Sequence, residues 1–203
     1  MGQEAIFLES EGDAWHVRNK DKPYNNDRNE IIATIVPKVK SVLEVGCGDG
    51  RYLSGLGDLY GAKCTGIDIS CAAIDSGRKL FPETDFILGS AQYRYLETEY
   101  EMVIYGFCLY VCDPASLHHI AHLGDRSLQD GGHLVIHDFD PEYPHKVPYH
   151  HVPGLFSYKM DYSKLWLANP AYSLVSKTVI GDGTAVWVLK KDVAAGWPEE
   201  NMP

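Results

Sequence analysis

Three groups of residues have types and spacings from which chemistry can be built. The first is Glu44-Val45-Gly46-Cys47-Gly48-Asp49-Gly50, with glycines at alternate positions behind an acidic side chain. Glycines so placed let the chain turn sharply and let a ligand approach the backbone with no Cβ in the way. The second is Gly66-Ile67-Asp68-Ile69-Ser70. Asp68 follows Gly46 at the interval where a carboxylate accepts hydrogen bonds from both hydroxyls of a ribose. It could at the same time cap a helix opening near Ser70, and the ribose role is the favoured reading. The third is His137-Asp138, followed by Asp140, Glu142, His145, Tyr149, His150 and His151. Imidazoles suit proton transfer near neutral pH. Histidines beside carboxylates are also the donor set of a divalent metal site. A polar, exposed loop is the expected state of this segment, and no metal is expected.

These groups must be held by regular elements, and the apolar patterning supplies them. Strands are expected at 41–45, 63–68, 84–88, 101–106 and 133–138, where Val- and Ile-rich runs suit strands buried on both faces. Helices are expected near 26–38, 50–60, 70–80 and 114–129. Asp113 is the expected N-cap of the last, with Pro114 at its first helical position. Alternation of this kind implies an α/β fold with a doubly wound, mostly parallel sheet and right-handed crossovers. Two final strands, 173–180 and 184–190, flank Gly181-Asp182-Gly183, a hairpin turn. The sheet therefore has about seven strands and ends in an antiparallel pair. The stretch 139–158 is long and rich in Pro, His and Tyr. It leaves the carboxyl end of the fifth strand, the edge at which open α/β sheets bind ligands.

The chain has 203 residues, a single-domain length, and carries 18 Lys+Arg against 28 Asp+Glu for a net charge of -10. It has no basic surplus for a nucleic-acid backbone or an anionic membrane surface. The longest nearly unbroken apolar run, 102–112, is far below the ~20 residues of a membrane span. The N-terminal residues have no basic region typical of a secretory signal, so a cytoplasmic location is expected. Five cysteines, all within the first 112 residues and with no C-x-x-C, read as reduced, buried thiols.

Taken in order, Glu44 to Gly50 and Gly66 to Ser70 resemble the first two motifs of class I, Rossmann-like S-adenosylmethionine (SAM)-dependent methyltransferases. Phe86 to Ala91, Tyr100 to Ile104, Leu128 to Ile136 and the terminal hairpin continue the likeness over residues 26–190. The resemblance implies SAM as cofactor. It places Glu44, Gly46 and Gly48 at the methionine end, Asp68 at the ribose and Ile69 beside the adenine. Ser90 and Ala91 fall at the adenine edge, and Gly106 and Phe107 close on the methionine moiety. Ser90 stands where many relatives carry Asp, and Glu101 replaces the usual fourth-strand Asp. The segments 12–19 and 147–172 are similar to methylases associated with pseudaminic acid and other surface-glycan gene sets, which implies a small, carbohydrate-like acceptor.

The whole chain is expected to be one methyltransferase domain, with residues 1–25 as a lid and 139–172 as an acceptor-side insertion. Arg18 is expected to pair with the methionine carboxylate, and Tyr24 to join the lid. His137, Asp138, Tyr149, His150 and His151 are the candidate catalytic groups, with His137 as base. His118 and His122 share a helical face without a third ligand and are expected on the surface. Asn169-Pro170-Ala171-Tyr172 is expected to be a connection into the terminal hairpin. The competing functions are a nicotinamide-dependent oxidoreductase, which the glycine spacing and the hairpin disfavour, and a non-catalytic SAM-binding regulator. The acceptor and the oligomeric state are left open by the sequence.

Overall fold

The strands form where apolar runs must be covered on both sides. In the computed structural model, which describes residues 2–23, 25–92, 96, 98–181 and 183–198, they assemble into one seven-stranded sheet. Tyr24, expected in the lid, and Asp182, expected in the hairpin turn, lie outside the described residues. The strands are β1 (Ser41–Val45), β2 (Lys63–Asp68), β3 (Asp85–Leu88), β4 (Tyr100–Gly106), β5 (Leu128–Phe139), β8 (Tyr172–Ile180) and β9 (Thr184–Lys191). Their order is β3-β2-β1-β4-β5-β9-β8. The first five are parallel, while β9 runs antiparallel to both β5 and β8.

Successive residues of each strand point to opposite faces, and both faces of the central strands β1, β4, β5 and β9 are largely buried, whereas the edge strand β8 is mostly exposed. Leu43, Val45, Val103, Tyr105, Leu134 and Ile136 enter one apolar cluster, with Leu117 and Ile120 of helix α6 (Leu117–Ser127) and Trp166 of α7 (Lys164–Leu167). Val42, Met102, Ile104, Val135, Val186 and Val188 enter the other. There they meet Ile32 of α3 (Asp27–Ile35), Leu53 and Leu56 of α4 (Arg51–Tyr60) and Ile74 of α5 (Cys71–Leu80). The order β2-β1-β4 places the reversal of winding between β1 and β4. A crevice opens there at the carboxyl ends of the strands.

Two segments that lack a clear pattern in sequence are ordered by tertiary contacts. The first covers residues 3–19, with α1 (Gln3–Ile6), a π-helical turn (Phe7–Glu11) and α2 (Gly12–Asn19) in succession. The second spans most of 139–158, expected as a loop, and runs on to Lys159. It instead holds a two-stranded antiparallel sheet, β6 (His145–Pro148) with β7 (Phe156–Lys159). Gln3 ties the two together. Its side-chain amide donates to the carbonyls of Val111 and Phe156 and accepts from the Phe156 N–H.

Asp113 corrects another expectation. Its side chain makes no cap bond to the helix that follows, which opens with a 3-10 turn, Pro114–Ser116, before α6. The carboxylate accepts instead from the Gln3 N–H at 3.1 Å and the Glu4 N–H at 3.3 Å, so it caps the helix at the other end of the sequence. His118 and His122 are exposed on α6, and Asn169 to Ala171 connect α7 to β8 as expected.

Asp113→Ala should leave the sheet intact and loosen the N-terminal helices. Hydrogen-exchange mass spectrometry should show faster exchange over residues 3–19, consistent with losing a cap of ~1 kcal/mol, and little change in β1, β4 and β5. Unchanged exchange over 3–19 would show that the cap does not hold this segment.

Candidate functional site

The glycine loop leaves β1 in an unusual conformation. Gly46, Gly48 and Gly50 all have positive φ, at 74°, 57° and 78°. At Gly46 a Cβ would come within 2.5 Å of the Cys108 Cβ. The loop is braced from the next strand, because the N–H groups of Gly46 and Cys47 both donate to the Ile67 carbonyl. Asp68, at the end of β2, accepts from the Gly48 N–H and the Ser70 N–H, each at 2.8 Å. Burial raises its pKa, and these N–H donors oppose that rise. A carboxylate has about four lone-pair sites, so Asp68 still has capacity for two ligand hydroxyls. Helix α5 is capped by Ser70 through its bond from Ala73 N–H.

This loop forms one side of a cavity of about 590 Å³, within the range of small-molecule sites. Glu44, Gly46, Gly48, Asp68, Ile69, Ser90, Ala91, Gly106 and Phe107 all line it, as does His137. The cavity therefore brings together every expected cofactor residue except Arg18. Arg18 points elsewhere, paired with Glu11 and reaching the Tyr149 hydroxyl at 3.3 Å.

Lys20, Lys22, Arg28 and Arg51 do line the cavity, and of these Arg28, at the start of α3, is the one beside Glu44. Its guanidinium pairs with Glu44, with both side chains almost fully buried, and lies 4.8 Å from the centre of the Tyr52 ring. Gly106 makes room for this pair. A Cβ there would fall 2.2 Å from Glu44 Oε1 and 2.9 Å from Arg28 Nη1. Burial raises the Glu44 pKa, and the positive charge of Arg28 works against it. The signal for Arg28 in the sequence is weak: a lone basic residue in the first turn of a helix, where the helix dipole disfavours it.

The N-terminal helices cover the cavity, with Glu4, Phe7, Gly12, Trp15, His16 and Asn19 in its wall. Glu4 hydrogen-bonds the Ser90 hydroxyl, which also accepts from the Gln92 N–H. Asp13 accepts from the Ser70 hydroxyl at 2.6 Å and the Ala72 N–H at 2.9 Å. Those bonds hold its pKa below the usual carboxylate range. His16 is buried near Asp13, Asp49 and Asp68.

Four of the five expected catalytic groups lie outside the cavity wall. Asp138 is fully buried and accepts from the N–H groups of Leu109, Tyr110 and Phe139. It therefore anchors backbone, since each of those buried donors needs an acceptor. Tyr149 packs with Phe7 and Leu155, its hydroxyl donating to Glu11 at 2.7 Å. His150 and His151 are exposed beside it. Among the described residues no group of His, Cys, Asp and Glu is arranged to hold a metal ion. The thiols of Cys47 and Cys108 are pushed up by burial, and that of Cys112 rises to about 12 for the same reason.

Residues 42–132 match the family model of a methyltransferase domain. Protein 235L of Invertebrate iridescent virus 6, described as a methyltransferase, is 28% identical over 131 residues, 60% of this chain and 47% of the viral protein. The chain thus spans about half the length of that curated relative. The crystal structure of a Burkholderia thailandensis 1,6-didemethyltoxoflavin-N1-methyltransferase, bound to that compound and S-adenosylhomocysteine, superposes with a TM-score of 0.73 at 15% identity. It covers 93% of this chain and 87% of its own. A TehB-like SAM-dependent methyltransferase from Corynebacterium glutamicum gives 0.66 at 16% identity, over 93% and 100% of the two chains. The fold is that of class I methyltransferases.

Asp138→Ala should destabilise the protein by about 2 kcal/mol or more, since buried N–H groups lose their acceptor. The sign with pH follows from the raised pKa, about 7 against an ordinary 3.8, which burial causes. The folded protein gains a proton as pH falls through about 7, and the unfolded chain only near 3.8. The wild-type carboxyl therefore contributes a gain in stability on going from about pH 8 to about pH 5, and the variant should lack it. Urea denaturation of both proteins at the two pH values measures this, and an identical pH response would contradict it.

Proposed function

We propose, from the premise that this chain carries a methyltransferase domain in the class I fold, that it transfers a methyl group from SAM to a small-molecule acceptor. The observation that carries this reading is one cavity whose groups match the donor from end to end. Asp68 with the Gly48 amide suits a ribose, and Arg28 beside Glu44 suits a group bearing both a carboxylate and an ammonium. Glu4, held by Ser90, offers an acceptor for the exocyclic amine of adenine. A carboxylate is thus available at the adenine edge although Ser90 itself is not acidic.

Bound SAM supplies an electrophilic methyl carbon on a sulfonium. Transfer breaks that S–C bond, leaves its electron pair on sulfur and releases a proton when the acceptor is a hydroxyl or amine. The protein's part is alignment and the removal of that proton. His137 lines the cavity at the end of β5 and is the candidate base. The N-terminal residues 1–25 act as a lid over the donor, and their contacts to Ser70 and Ser90 support that role. Residues 139–172 support the lid through Tyr149 and Phe156 instead of lining the acceptor site. The net charge of -10 disfavours a nucleic-acid acceptor. Among the described residues no helix is long and apolar enough to cross a membrane.

Calorimetric titration tests the assignment. SAM and S-adenosylhomocysteine should bind, and NAD should not. Asp68→Ala should weaken SAM binding by ~1.5–3 kcal/mol, the range for hydrogen bonds to a charged group. Equal affinity for SAM in the two proteins, or tighter binding of NAD, would remove the assignment.

A further inference from the structure

The cavity is longer than its donor-binding part, and the remainder has its own chemistry. Along the sheet order, β3, which Ser90 follows, and β5, which carries His137 near its carboxyl end, are four strand spacings apart, roughly 19 Å at ~4.8 Å each. The part beside β4 and β5 is walled by Trp15, Phe107, Tyr110 and His137. The Phe107 ring lies 5.0 Å from that of Tyr110 and 5.4 Å from that of His137, between centroids. Its backbone has φ 56°, unusual for a bulky non-glycine residue, and its N–H is fixed to the His137 carbonyl at 2.8 Å. A bulky residue held in that strained conformation marks a site where side-chain direction matters.

Two side chains of this wall are tied to each other and to backbone. Asn19 donates to the Trp15 carbonyl at 2.7 Å, and the Trp15 indole lies against the Tyr110 hydroxyl. A polyhydroxylated sugar needs many unspent donors and acceptors, or it leaves its own hydroxyls unpaired on burial. A planar ring needs flat apolar faces and a single polar contact.

We propose that the acceptor is a planar aromatic or heteroaromatic ring bearing a hydroxyl or N–H, stacked against Trp15, Phe107 and Tyr110 with its acceptor atom toward His137. The proposal rests on the methyl-donor reading above. In the transfer, the acceptor oxygen or nitrogen forms the new bond to the methyl carbon as the sulfur–carbon bond breaks. The displaced proton passes to the His137 imidazole.

Binding of 4-hydroxyquinoline, 2-naphthol and N-acetylglucosamine is measured by calorimetry and saturation-transfer NMR, with and without S-adenosylhomocysteine. The two aromatic probes should bind with Kd below ~1 mM, and the sugar should show no saturation transfer. Trp15→Ala and Tyr110→Leu should each weaken aromatic binding ~5–10-fold, and Tyr110→Leu should leave S-adenosylhomocysteine affinity within about twofold. Thermal melts of both variants identify any that fails to fold, and the other then serves. Sugar binding equal to or tighter than aromatic binding would overturn the proposal, as would aromatic binding that neither substitution changes. If S-adenosylhomocysteine does not bind but both substitutions still weaken the aromatic probes, the slot stands and the donor reading falls.

Discussion

The ion pair of Arg28 with Glu44 is the contact around which the site is arranged. Both side chains are almost wholly buried at the edge of the cavity, and burying two charges costs several kcal/mol each before their attraction repays it. The surroundings meet part of that cost. Arg28 also donates to the Asn29 side-chain Oδ1 at 3.1 Å through two of its nitrogens and lies over the Tyr52 ring. Apolar residues of similar size would give a sheet at least as stable. A charged pair at the cavity wall makes better sense as recognition chemistry, and it explains why Gly106 has no side chain.

Around that pair the molecule is built from two kinds of contact. The sheet and its flanking helices are held by continuous apolar clusters on both faces. The N-terminal helices have a smaller apolar base, Phe7 with Tyr149 and Leu155. Much of their attachment is polar: Asp113 caps α1, Asp13 binds the start of α5, Glu4 binds Ser90, and Glu11 binds Tyr149. Hydrogen bonds of this kind contribute about 1 kcal/mol net, because water replaces each one on opening. A cover held in this way can exchange with solvent while the sheet stays folded, as entry of a ligand beneath it requires.

The five core strands, the terminal hairpin, the glycine loop and Asp68 were legible in the sequence because each is a local pattern. A run such as Val42 to Val45 is buried on both faces wherever its neighbours come from, and alternate glycines permit a turn that few other residues allow. What the sequence left open depends on pairing between distant segments. Arg28 and Arg18 both lie ahead of β1, and although Arg28 sits against the dipole in the first turn of a helix, nothing local shows that it meets Glu44 while Arg18 meets Glu11. Asp138 and His137 are adjacent on β5, yet one is fully buried against the turn at 109–111 and the other lines the cavity. Alternation along the strand sends the two side chains to opposite faces, but only the packed turn shows which face holds backbone donors. The same holds for Asp113, whose cap lies 110 residues away on Gln3. The sequence by itself determined the sheet and the donor-binding loop, because backbone conformation and hydrophobic period act over a few residues. The tertiary structure alone decided which charges meet, what covers the cavity and which histidine faces it, because those contacts exist only once the chain has closed on itself.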